Sequence, residues 1–190
     1  SQSDCALTII MPVLNEALGM AAALAALTPF ISNGAQVIVV DGGSTDATVA
    51  IALADASPAI TLICSGPGRA LQMNVGAKHA HGKALLFLHV DTALPQNADE
   101  LVRQALANGG LVWGRFDVRI DGMSAWLPVV GALMNLRSRL TGIATGDQTL
   151  FMTQAAFSAM KGFTAQPLME DIDMSSRLLQ LSKPACLRHK

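Results

Sequence analysis

Three carboxylates stand at the ends of apolar runs or at the start of a helical pattern: Asp41 in VIVVDGGSTD, Asp91 in LLFLHVDT and Asp171 in PLMEDID. In an open α/β sheet, ligands occupy the crevice outside the carboxyl ends of the parallel strands, so acids carried there by distant parts of the chain can meet at one site. Converging carboxylates suit a divalent cation and a phosphorylated substrate, with one acid left over to take a proton. His89 precedes Asp91 by two residues, and on a strand the two would share a face and could address one ion. Magnesium prefers oxygen ligands while manganese accepts imidazole more readily, so the pair admits Mn2+ or Mg2+.

The elements that would position these residues follow from the hydrophobic pattern. ALTIIMPV, AQVIVVD, ITLICS and ALLFLHVD are short continuous apolar runs, the signature of strands buried on both faces. Between and after them lie helical stretches over 16–27, from a cap at Ser44 or Thr45 to Leu53, over 68–81 and over 97–107, with Asn15 able to cap the first. Such β-α alternation predicts a parallel sheet with right-handed crossovers. From Leu111 the character changes. LVWGRFDVRI predicts a longer, partly exposed strand of a mixed sheet, TGDQTLFMT a further strand, and 169–182 a closing helix with Glu170 and Asp171 in its first turn. GMSAWLPVVGALMNLRSRL is broken by Pro128 and Gly131 and ends on Arg137 and Arg139. It cannot span a bilayer, and two uses stay open for it: internal packing, or contact with a membrane or a lipid-linked acceptor.

Composition bounds the classes. The 190 residues fit one domain, and 51% apolar against 14% charged residues argues for a packed interior. A net charge of −1 with scattered basic residues excludes a nucleic-acid footprint. Cys5, Cys64 and Cys186 have no metal-ligand spacing, and Cys64 falls inside an apolar run, which points to a reducing, cytoplasmic setting. No basic leader and no transmembrane-length apolar segment is visible, so any membrane contact is expected to be peripheral, at the inner face. The closing ACLRHK reads as the start of a strand, which suggests a truncated core.

The succession MPVLNE, VIVVDGGSTDAT, GRALQMNVGAKHAHGKALLFLHVDT, GDQTLFMT and PLMEDIDMSSRL resembles a bacterial family 2 glycosyltransferase of the GT-A fold from Thr8 to Leu181. More narrowly, GRALQMN, RSRLTG, GDQ and PLMED are similar to the branch labelled radical-SAM/selenodomain-associated transferase 2. The resemblance implies a single Rossmann-like α/β domain over 1–190 with a mostly parallel central sheet and a smaller mixed acceptor-side sheet. Its nucleotide-binding half would cover about 6–110 and its acceptor half about 111–190.

The resemblance also implies roles. Pro12, Asn15 and Glu16 would receive the base and ribose, although a helix cap with a charge favourable to the dipole explains Glu16 equally well. Asp41 would reach the base, with Gly43 permitting close approach; an Asx turn is the alternative. Arg69, at a helix start, and Asn74 would lie near the donor. His89 and Asp91 replace the family's Asp-x-Asp metal pair, and Asp171 would be the base that deprotonates the acceptor hydroxyl. Asp147, Gln148, Glu170 and Trp113, with Arg115, would line the acceptor side. The implied reaction is metal-assisted, inverting hexosyl transfer from a UDP- or GDP-linked sugar to an unidentified hydroxyl, with a lipid-linked acceptor one open option. The alternatives are a nucleotide-binding regulatory module that lost turnover and a sugar-phosphate nucleotidyltransferase. The second would want a Gly-rich basic loop after the first strand, and MPVLNE supplies none.

Overall fold

The computed structural model describes residues 6–54, 58–107, 110–117, 127–144, 148–165 and 169–187, with the side chains of 127–132 outside that description. The four apolar runs are strands as expected: β1 (Leu7–Val13), β2 (Gln36–Asp41), β3 (Ile60–Cys64) and β4 (Ala84–Phe87). All neighbours among them pair in parallel, with β1 between β2 and β4. The crossovers carry α1 (Ala17–Ser32), α2 (Thr48–Ala54) and α3 (Arg69–Lys78), and α4 (Ala98–Ala107) follows β4.

Side-chain alternation splits the apolar runs between two cores. Ile9, Met11, Val37, Val39 and Leu86 point to one face, where Met20, Leu24, Leu27 and Phe30 of α1 and Val102 of α4 cover them. Ile10, Ile38, Val40, Leu85 and Phe87 point to the other, beneath Ala70, Met73 and Ala77 of α3. Burial on both faces is why β1, β2 and β4 read as unbroken apolar runs; β3, at the edge, departs from that expectation, with Ile60, Leu62 and Ile63 half-buried and Thr61 exposed. Gly76 lets α3 approach closely, because a Cβ there would meet Ile10 Cγ2 at 2.5 Å.

In the second half, β5 (Trp113–Phe116), α5 (Leu127–Thr141), β6 (Leu150–Thr153), α6 (Gln154–Ala159), α7 (Glu170–Leu178) and β7 (Ala185–Leu187) complete the order. Among the described residues the mixed strands do not form a second, smaller sheet. β6 pairs antiparallel with β4, β5 antiparallel with β6 and β7 parallel with β5, so one seven-stranded mixed sheet runs β3-β2-β1-β4-β6-β5-β7.

Other differences have local causes. β5 is four residues, all buried, rather than long and partly exposed; the VRI of the expected strand lies outside the described residues. α1 continues through Pro29 to Ser32, held by burial of Phe30. β3 is an edge strand, which leaves Cys64 exposed. Among the described residues no helix is long and apolar enough to cross a membrane.

Candidate active site

The parallel strands deliver their carboxyl ends to one edge, where the loops after β1 and β2 are locked together. Asn15 takes φ 56°, which turns the chain sharply out of β1. It does not cap α1. Its Oδ1 accepts from the Thr45 N–H at 2.8 Å, while its own N–H donates to Ser44 Oγ at 2.9 Å. The first N–H groups of α1 are served from the neighbouring loop: Glu16 N–H donates to Thr48 Oγ1 at 2.8 Å and Ala17 N–H to Asp46 Oδ2 at 3.1 Å. Asp46 Oδ1 also accepts from the Thr48 N–H, so Asp46, not Ser44 or Thr45, serves the start of α2. The Thr48 hydroxyl and N–H together hold the Asp46 carboxyl below its usual pKa.

Asp41, the last residue of β2, is buried. Its carboxylate accepts from the N–H groups of Gly43 (2.9 Å) and Ser44 (3.1 Å) in an Asx turn, with Gly43 at φ 99°. The turn reading of Asp41 therefore accounts for its carboxylate, which shapes the loop from within. Beneath it lies Gln72, which sequence reasoning missed. Its amide N–H2 donates to the carbonyls of Val13 and Val40, both at 2.8 Å, and so ties the ends of β1 and β2. The available signal was a lone amide among Ala70, Met73, Gly76 and Ala77 on the buried face of α3.

Arg69 opens α3 with half of its side chain exposed, and its Nε lies 3.5 Å from Glu170 Oε1. Glu170 and Asp171 are both buried in the first turn of α7, after Met169 at φ 67°. Near full burial of two carboxylates is unusual for a helix start. The Arg69–Glu170 pair ties the start of α3 to the first turn of α7, which bears Asp171. Pro12 is half-buried in β1, and Glu16 is exposed beside this loop.

The Asn74 amide is engaged away from Arg69. Its Oδ1 accepts from Phe163 N–H and its Nδ2 donates to Phe163 O, each at 2.8 Å, which clamps the chain after α6 onto α3. His89 and Asp91 also differ from expectation, because β4 ends at Phe87. They sit in a turn closed by Thr92 N–H to His89 O at 3.1 Å, so the shared strand face does not arise. Asp91 is exposed and His89 half-buried. Among the described residues no group of three His, Cys, Asp or Glu side chains could hold a metal ion.

On the acceptor side, Trp113 is wholly buried, with its indole N–H donating to Ser182 O at 2.9 Å, so it is a core residue and not a lining one. Gln148 is buried and donates to Asn135 Oδ1 of α5 at 3.0 Å. Arg115, also wholly buried, pairs with Asp117 at 2.8 Å and donates to Asn135 O, while Arg139 of α5 pairs with the same Asp117. Asp147 lies outside the described residues. A groove of about 550 Å3 near Leu7, Ala35, Ala84 and Arg103 marks the opposite, amino-terminal edge of the sheet and is unrelated to these groups.

Against known proteins, a family model described as glycosyl transferase family 2 matches residues 8–163. No curated protein sequence matches the chain significantly. Several solved structures share the fold. A mannosyltransferase from Pyrobaculum calidifontis in complex with GDP-Man and Mn2+ is similar at a TM-score of 0.75 and 17% identity, over 96% of this chain and 54% of that one. S. aureus TarS in complex with UDP-GlcNAc is similar at 0.76 and 18%, over 97% and 56%. Glucosyl-3-phosphoglycerate synthase from Mycobacterium tuberculosis, with Mn2+, UDP and phosphoglyceric acid, is similar at 0.70 and 17%, over 97% and 68%. The chain spans about half the length of the first two.

Proposed function

The chain belongs to glycosyl transferase family 2, and from that premise we propose that it transfers a sugar from a nucleoside-diphosphate sugar to an acceptor hydroxyl with inversion. The observation that carries the reading is the Arg69–Glu170 pair. It joins the helix that begins beside the interlocked β1 and β2 loops to the helix whose first turn bears Asp171. A donor seated on those loops would lie with its diphosphate toward Arg69 and the start of α3, where a guanidinium and free N–H groups attract an anion.

In this reading Asp171 takes the acceptor's hydroxyl proton. The oxygen attacks the anomeric carbon from the face opposite the diphosphate, the bond from that carbon to the diphosphate oxygen breaks, and the electron pair leaves with the diphosphate. A carboxylate in the first turn of a helix is favoured in its ionised form, as a base must be before it acts. Asp91 is the residue proposed to hold a divalent cation, with His89 a secondary ligand. A hard ion held by one carboxylate would complete its shell with phosphate oxygens and water. When bound, the cation neutralises charge on the departing diphosphate.

GDP-Man and UDP-GlcNAc are bound in similar folds, which supports a UDP- or GDP-linked donor; hexosyl transfer, the selenodomain-associated branch and a cytoplasmic site of action belong to the same proposal. The test is the unfolding midpoint with UDP or GDP, with and without Mn2+ or Mg2+. A nucleotide at about 100 times its Kd adds about 2.7 kcal/mol, several degrees for a chain of this size. Asp91→Ala should remove the metal-dependent part alone. No shift with any nucleotide refutes the donor site, and binding without turnover assigns the chain to the regulatory-module alternative.

A further inference from the structure

A surface helix ordinarily turns apolar residues inward and polar ones to water. α5 departs from this among its described side chains. Along its last turns Leu133, Leu136 and Leu140 are 59%, 53% and 79% exposed, whereas Ser138 is fully buried. The setting is fixed by polar contacts on the inner side: Asn135 Oδ1 with Gln148, Asn135 O with Arg115, Arg139 with Asp117, and Ser138 Oγ with Ile143 O. Rotating the helix to bury its leucines would break the three contacts that reach outside it, to Gln148, Arg115 and Asp117. The exposed stripe is therefore specified by the fold.

Leu133, Leu136, Arg137 and Leu140 recur at i, i+3, i+4 and i+7, which places an exposed guanidinium within the leucine stripe. The apolar surface continues past the helix end, where Gly142 lies against the Leu179 side chain and Leu179 and Leu181 are exposed. Neither 127–144 nor 174–187 contains an aspartate or glutamate, and each carries an exposed cation, Arg137 or Lys183. An apolar stripe with basic, acid-free flanks is complementary to acyl chains beneath anionic headgroups. It is poorly matched to a second copy of itself, because a two-fold interface would set Arg137 against its own kind with no acid to answer it.

We propose that the outer face of α5 docks on an anionic lipid bilayer, with Leu133, Leu136 and Leu140 entering the interface and Arg137 reaching the headgroups. Since α5 is fastened to Gln148, docking holds the second half of the molecule at the bilayer surface. The proposal is independent of the sugar-transfer reading, and its test needs no substrate.

The full chain is floated with vesicles of phosphatidylcholine alone and of phosphatidylcholine mixed with phosphatidylglycerol. Wild type should float with the mixed vesicles, less so at high salt. Leu136→Asn with Leu140→Asn should weaken this roughly tenfold or more. Arg137→Gln should weaken binding to mixed vesicles by roughly fivefold and leave binding to neutral ones unchanged. Unaltered urea midpoints would show that the variants fold, as expected for exposed side chains. Wild type floating with neither vesicle, or the leucine variant floating as well as wild type, overturns the proposal. A wild-type dimer that the leucine variant converts to monomer also overturns it, and assigns the face to a second copy.

Discussion

Gln72→Met isolates the buried amide that ties β1 to β2. Methionine keeps a similar length and bulk but has no N–H, so the bonds to Val13 O and Val40 O are lost without a large cavity. The Val13 carbonyl keeps its bond from Gly42 N–H at 2.9 Å, so it is not left wholly unpaired. Two net hydrogen bonds at about 1 kcal/mol each give a loss of about 2 kcal/mol. For a chain of this length that lowers Tm by about 4–8 °C. The effect should reach function as well. Gly42 rests against the amide, with a built Cβ only 3.0 Å from it, so release of the amide loosens the loop bearing Asp41. Nucleotide-dependent stabilisation should shrink along with Tm. Urea titration with an unchanged slope would attribute the loss to the native state. A Tm shift below about 1 °C, the size of a neutral surface change, would refute the idea that Gln72 holds the two strand ends.

Asp171→Asn should leave nucleotide binding near wild type while hydrolysis of a bound sugar nucleotide, with water as acceptor, falls roughly 10²–10⁴-fold; unchanged turnover would move the base to another acid. Asp46 has a depressed folded pKa, so its contribution to stability is present above its ordinary value of 3.8 and lost as pH falls through the lower folded value. Asp46→Ala should lower Tm at neutral pH and flatten the acid limb of the Tm–pH curve. A variant curve parallel to wild type would remove Asp46 from the interlock of α1 and α2.

The parallel half was legible because β1, β2 and β4 are buried on both faces, so local pattern and tertiary environment agree there. Where they disagree, the pattern failed. Asn15 is a good capping residue by type, yet α1 is capped across 29 residues by Asp46, a contact no window of sequence contains. The His89–Asp91 pairing assumed that β4 runs on through the apolar LHV, but its ladder stops at Phe87. Trp113 and Arg115 look like surface recognition residues by composition, whereas pairing of β5 with both β6 and β7 buries them. That three strands of non-consecutive order extend the first sheet is a matter of long-range pairing, which residue periodicity does not encode.

That shared sheet bears on how the chain is made. β4 is completed by Phe87, but the partner for its open edge, Leu150–Thr153, is synthesised only after α4, β5 and α5. At ribosomal speed the wait lasts several seconds. During it the nascent first half has most of its crossover helices but offers the bare backbone of Ala-Leu-Leu-Phe as a docking edge for any extended chain. A fragment ending after α4 would keep that edge permanently, and should aggregate even though both faces of its sheet are covered.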